Sequence, residues 1–258
     1  MPTRETDVRH SPIPGTSRRL TGMSERLWYL KQCDLFQQLS AQQLQMLELQ
    51  SRARKFPRTS PIYLPAEQAN GILLLAEGRV KIGSFTEEGK QTILTFIEPG
   101  EIFGELALLG ADRRNEYAEA VEKSTIILIP AEVMQRLIEE NPKVSFGITK
   151  LFGLRRERVE RRLKYLLFRS NRERLIHLLL ELTGQYGRHT ARGVELSIKM
   201  SHQDLASMIG STRETVTVVL GVLQTEGHLR LGRRKIIITG LAHLAASVQS
   251  EAPRIGNG

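Results

Sequence analysis

Cysteine is nearly missing from this chain. Cys33 is the single one in 258 residues, which excludes an internal disulfide and fits a reducing compartment, so the expected location is the cytoplasm. Long apolar runs are missing too. None approaches the roughly 18 residues of a membrane span, and the first residues carry no apolar core of a secretion signal. No amphipathic stretch shows a large exposed apolar face for a membrane surface. No pairing of nucleophile and base and no cluster of metal-ligating residues stands out, so an enzyme is not expected.

What is present is positive charge, unevenly spread. The formal net charge is +9. Residues 1–142 hold 17 Lys and Arg against 19 Asp and Glu, whereas residues 143–258 hold 20 against 9, a net of +11. The C-terminal part therefore carries the field that draws a polyanion.

The most informative stretch lies there, at residues 201–225, SHQDLASMIGSTRETVTVVLGVLQT. Ser201 suits an N-cap, with Asp204 three positions on. Leu205, Met208 and Ile209 form the apolar stripe of a first helix, and Gly210 breaks it, because glycine takes a left-handed corner cheaply. Thr212 caps a second helix with Val216, Val219, Leu220 and Leu223 on its buried side. Ala206 supplies a small residue where the two helices cross. This is helix-turn-helix spacing. The exposed start of the second helix carries Thr212, Arg213, Glu214 and Thr217 as base-reading candidates. Arg213 can bond a guanine edge with its fork, and Glu214 can accept from cytosine N4. Residues 229–239, LRLGRRKIIIT, read as a β-hairpin with a basic tip. Arg233, Arg234 and Lys235 at that tip are expected on phosphates. Ser201 and His202 are assigned to phosphates as well.

Towards the N-terminus, residues 1–22 lack apolar periodicity and read as a disordered tail. Residues 24–49 look helical, with Leu44, Leu47 and Met46 as buried candidates, and Cys33 as a packing residue. From 53 to 129 short β-rich runs alternate with turns, which suggests a sandwich or jelly roll. Inside it lies Phe103-Gly104-Glu105-Leu106, followed by Arg114-Asn115. Glycine opening a short helix bares N–H groups for an anion. Glu105 can accept from a ribose hydroxyl and Arg114 can pair with a phosphate; the competing reading is an internal Glu105–Arg114 ion pair. Asn141-Pro142 opens a long helix to about residue 168. Ile148, Leu151, Val159, Leu163 and Leu166 form a seam that wants a second copy. Arg155 interrupts that seam, on a helix otherwise strongly basic. Residues 170–182 form an amphipathic helix, 184–193 a polar loop, and 194–200 a strand. The chain after 248 reads as a disordered tail.

The order jelly roll with F-G-E-L, N-P-opened long helix, then Ser211-Thr212-Arg213-Glu214-Thr215-Val216 resembles the cAMP receptor protein/FNR (Crp/Fnr) family of bacterial transcription regulators, over residues 27–241. The resemblance implies an α+β chain in five parts. A tail (1–22) precedes a cyclic-nucleotide-binding-like jelly-roll sensor (23–141). A dimerisation helix and hinge (142–169), a winged helix-turn-helix (170–247) and a second tail (248–258) follow. It implies a homodimer on near-palindromic double-stranded DNA that contacts RNA polymerase, either constitutively active or controlled through the jelly roll. The alternative is a nucleotide-binding module acting mainly on a protein partner. The resemblance also assigns Gly104, Glu105, Leu106, Arg114 and Asn115 to a ligand, cAMP or another small effector. Val218 stands where the cAMP receptor protein has a further reading arginine. Asn115 and Glu116 replace the usual Ser or Thr followed by Ala, and Val159 and Glu160 replace an adenine-contacting Thr-Ser pair; both changes speak for a ligand other than cAMP, or none. One cysteine cannot hold an iron–sulfur cluster. All six histidines (His10, His177, His189, His202, His228, His243) lie outside the barrel, so no haem is expected.

Overall fold

The computed structural model describes residues 24–255, except Arg234 and the side chains of residues 158, 161, 162 and 165–168. The tail proposed for residues 1–22 lies outside them. The chain divides into two compact units, with the boundary between Phe168 and Arg169.

In the first unit, α1 (Glu25–Gln32) and α2 (Ala41–Gln50) each start at a serine whose hydroxyl accepts from a first-turn N–H. Eight strands follow: β1 (Arg52–Phe56), β2 (Pro61–Tyr63), β3 (Gly71–Glu77), β4 (Val80–Phe85), β5 (Gln91–Ile97), β6 (Ile102–Phe103), β7 (Tyr117–Ala120) and β8 (Ser124–Pro130). They form two antiparallel four-stranded sheets, β1-β8-β3-β6 and β2-β7-β4-β5, the jelly-roll arrangement. A helix α3 (Ala131–Glu140) and the long α4 (Pro142–Phe168) complete the unit.

The uninterrupted apolar run of β3 has a physical reason. Leu73 and Leu75 point between the two sheets, with Val80, Ile82, Phe103 and Ile126. Ile72, Leu74 and Ala76 point the other way, into a second core with Leu30, Phe36, Leu47, Met134 and Val144. Helices thus cover the outer face of the first sheet, and a strand buried on both faces loses its alternation. Each such Leu or Ile removes enough area from water to stabilise the fold by about 1.5–3 kcal/mol. Met46 was expected inside but is about half exposed, since α2 turns Leu44 and Leu47 inward and leaves Met46 at the rim.

The second unit starts with α5 (Asn171–Tyr186), opened by a Ser170–Glu173 capping box. Its sheet runs β11-β12-β10-β9, all antiparallel, from β9 (Gly187–Thr190), β10 (Gly193–Leu196), β11 (Leu229–Gly232) and β12 (Lys235–Ile238). α6 (His202–Ile209) and α7 (Arg213–Thr225) lie between β10 and β11, and α8 (Leu241–Ala246) follows β12.

Three expectations change here. The polar loop of 184–193 is the end of α5 plus the edge strand β9, which pairs with β10 through the backbone and so needs no apolar side chains. Gly187 is required, because a Cβ there would sit 2.3 Å from the Thr183 carbonyl oxygen. The strand of 194–200 keeps alternate burial at Val194, Leu196, Ile198 and Met200, but its pairing with β12 stops at Glu195 and its pairing with β9 at Leu196, where β9 begins. The C-terminal tail is anchored: Val248 is buried, and Pro253 lies against Gly184 of α5.

Candidate nucleic-acid interface and effector site

The Ser201 hydroxyl accepts from the Asp204 N–H at 3.1 Å, and the Asp204 carboxylate accepts from the Ser201 N–H at 2.8 Å. Ala206 is wholly buried in α6. Gly210 closes the helix at φ 63°, ψ 44°, the left-handed corner. Thr212 then caps α7, its hydroxyl accepting from the Thr215 N–H at 3.2 Å. Val216, Leu220 and Leu223 are fully buried and pin α7 onto α6 and α5.

This packing leaves Arg213 and Glu214 exposed in the first turn of α7. Val218, one turn on, is 65% exposed. Thr217 is differently placed. Its hydroxyl donates to the Arg213 carbonyl at 2.8 Å and lies 2.8 Å from Nδ1 of His202. The hairpin pairs Leu229 with Ile238 and Gly232 with Lys235, which puts Arg233 at its tip. Arg233 is exposed, and Arg234 lies outside the described residues. Lys235 pairs with Glu195 of β10 at 2.8 Å, which offsets part of its charge.

In the jelly roll, Gly104 stands at φ 69°, opening a short 3-10 turn over Glu105–Leu109. Arg114 is buried. Its Nη1 donates to the Gly104 carbonyl at 2.7 Å and its Nη2 to the Gly71 carbonyl at 2.6 Å. Its guanidinium carbon sits 4.7 Å above the Tyr63 ring. The Nε hydrogen is buried with no partner among the described residues. A guanidinium has five N–H donors, so Nε–H and one hydrogen on each Nη remain to take an anion. Arg114 thus fits an acidic effector. Burial holds the Arg114 pKa below its ordinary value, with nearby acids opposing that shift.

Glu105 is also buried, but it forms no ion pair with Arg114, the pairing weighed from sequence. Its carboxylate pairs with Arg155 of α4, which also donates to the Ile102 carbonyl. Glu116 accepts from the Tyr63 hydroxyl at 2.8 Å, and burial raises its carboxyl above the ordinary carboxylate range. Asn115 and Leu106 are exposed. The structure thus brings Gly104, Glu105 and Arg114 together and adds Tyr63 and Arg155, which the motif alone does not mark as site residues.

On α4, Ile148 is buried in the chain's own helical core and Leu151 packs against it. Val159 and Leu163 are 65% and 52% exposed. The Leu166 side chain lies outside the described residues. Among the described residues no group of three or more His, Cys, Asp or Glu converges as a metal site. No helix there is long and apolar enough to cross a membrane.

A jelly roll, a long helix and a helix-turn-helix with a basic wing define a DNA-binding transcription regulator. Comparison with known proteins agrees. Residues 53–141 match the cyclic nucleotide-binding domain and residues 173–247 the Crp-like helix-turn-helix domain. The cyclic AMP receptor protein of Thermus thermophilus is 30% identical over 203 residues, 79% of this chain and 91% of that protein. The global nitrogen regulator of a Nostoc strain is 30% identical over 185 residues, 71% of this chain and 83% of that protein. A solved Crp/Fnr-family transcriptional regulator, also from Thermus thermophilus, matches with a TM-score of 0.62 at 28% identity, covering 78% of this chain and all of that one. The chain belongs to the Crp/Fnr family.

Proposed function

We propose that this regulator works as a homodimer on near-palindromic promoter DNA and contacts RNA polymerase there. Arg213 and Glu214 read base edges in the major groove, with Thr212 at the cap beside them. Ser201, His202, Arg233, Arg234 and Lys235 hold phosphates, which sets register without reading sequence. Val159, Leu163 and Leu166 supply the seam between the two copies, while Ile148 and Leu151 root α4 in its own jelly roll. The working parts are the sensor at 23–141, the dimerisation helix and hinge at 142–169 and the reading domain at 170–247. The protein acts in the cytoplasm and carries out no reaction of its own.

The carrying observation is the first turn of α7, where packing leaves Arg213 and Glu214 exposed on a helix locked by Val216, Leu220 and Leu223. The sensor takes a small acidic effector against Arg114, with Glu105 and its partner Arg155 beside it. Any anion there meets Glu116, which must then stay protonated; Val159 and Glu160, in place of the adenine-contacting Thr-Ser pair, disfavour cAMP itself.

The test is binding of the purified protein to DNA from upstream of its own gene, followed by anisotropy with and without cAMP and cGMP. Arg213→Ala should cost on the order of 1–3 kcal/mol on the preferred site and relax its sequence preference. Equal loss on unrelated DNA would overturn base reading by Arg213.

A further inference from the structure

The contact between His202 and Thr217 constrains where protons can sit at the start of the reading helix. The Thr217 hydroxyl has one hydrogen and two neighbours, each at 2.8 Å: the Arg213 carbonyl oxygen and Nδ1 of His202. A carbonyl can only accept, so the hydroxyl hydrogen belongs to it. Both contacts are hydrogen bonds only if Nδ1 of His202 carries a hydrogen and donates to Thr217. The neutral ring is then held in the tautomer with Nδ1–H, and Nε2 is left as a bare lone pair. A lone pair repels a phosphate oxygen. A second proton, on Nε2, turns the same atom into a charged donor.

We propose that His202 takes up a proton from solvent when this protein binds DNA, one per half-site, because Thr217 locks its neutral ring in the tautomer that cannot donate to a phosphate. The proposal rests on the reading of His202 as a phosphate contact. Thr217 is on this account a positioning residue and not a base reader: it holds the imidazole and the first turn of α7 in one chain, His202 to Thr217 to the Arg213 carbonyl.

The charged groups on the elements packed around this contact do not supply the proton in this range. Asp204 on α6 itself is engaged by Ser201. On α7, Arg213 and Glu214 are exposed at the first turn, and Glu226, the cap residue after its last turn, pairs with Arg172 of α5 at 2.7 Å. On α5, Glu173 caps Ser170, and Arg174, His177, Glu181 and Tyr186 complete the charged or titratable set. No ion pair to His202 forms among the described residues, and ordinary carboxylates and guanidinium groups do not change charge between about pH 6 and 8; of the two imidazoles, His177 is buried, which lowers its pKa and favours its neutral form, whereas His202 is only half-buried.

The sign follows from linkage. A proton taken up on binding makes affinity high at low pH and lower as pH rises. Affinity of the full-length protein for its tightest duplex, taken from selection on random DNA, is measured by anisotropy from pH 6 to 8 at constant salt. The wild type should lose affinity about tenfold or more over that range. His202→Arg, which keeps a charged donor throughout, should bind tightly with little pH dependence. His202→Gln should bind more weakly, again with little dependence. Thr217→Val is the decisive variant: the ring freed from the hydroxyl can carry its hydrogen on Nε2 while neutral, so the pH dependence should shrink. Thermal melts at each pH establish that every variant is folded. A wild-type profile that is flat while His202→Gln is weaker throughout keeps the phosphate contact and overturns the proton uptake. A full slope retained in Thr217→Val overturns the tautomer lock. Equal binding by His202→Gln and wild type at every pH overturns the phosphate contact itself.

Discussion

Burial decides the chemistry of single residues here. Cys33 lies in the helical core, and burial pushes its thiol up to about 12. A thiol that does not ionise near neutrality is a poor nucleophile. The native protein should therefore resist a thiol reagent at about pH 7.5 and react fully in denaturant; rapid native labelling would show that the site opens. Glu116 is the opposite kind of case, an acid kept in a partly dry place beside Tyr63. Its carboxyl is raised by burial first, so the folded protein holds that proton more tightly than the unfolded chain. The contribution to stability is whole below about pH 4.5 and is lost as pH rises through the folded value. Glu116→Gln keeps an acceptor for Tyr63 and removes the charge. It should raise the melting temperature at about pH 8 and leave it nearly unchanged at about pH 4. A fall at pH 8 would mean that the charge is wanted there. The sequence showed an awkward acid next to Arg114; that Tyr63, more than fifty positions earlier, bonds it came from the fold.

At the scale of elements, α4 changes its job along its length. Val144 and Ile148 belong to the helical core, Arg155 reaches Glu105 and the Ile102 carbonyl, and Leu154 beside it and Val159 and Leu163 beyond it stand exposed. Apolar spacing of three and four was legible in the sequence, but spacing cannot say which part of a seam meets its own domain. Leu163→Asp places a charge on the exposed part without touching either core. It should shift the protein from dimer towards monomer in sedimentation and weaken binding to a two-half-site duplex by at least tenfold, because each copy then binds alone. An unchanged dimer would place the interface elsewhere. The paired helices α6 and α7 were the easiest part to read, since caps, turn glycine and buried stripe are all local. β9 was invisible for the complementary reason: its hydrogen bonds come from β10, and Arg188, His189 and Thr190 advertise nothing.

Across the whole molecule the charge is divided, with the net of +11 in residues 143–258. DNA binding should fall steeply with salt, on the order of 10³-fold between 50 and 200 mM, if two copies together neutralise about six phosphates. Lys235 is already paired with Glu195, so Lys235→Ala should flatten that slope less than Arg233→Ala does. Equal effects would mean that the Lys235–Glu195 pair opens on DNA. Local rules determined a good deal of this protein in advance: the helix-turn-helix, the basic hairpin, the strand-rich middle and the absence of a disulfide follow from capping residues, glycine, alternation and a single cysteine, and none needs a distant partner. Tertiary structure decided the rest. It gave Glu105 to Arg155 and not to Arg114, set two carbonyls and a tyrosine around Arg114, anchored the C-terminal tail on α5 and bound Thr217 to His202. Each of these is a meeting of groups far apart in the chain, and such a meeting depends on packing that no local pattern encodes.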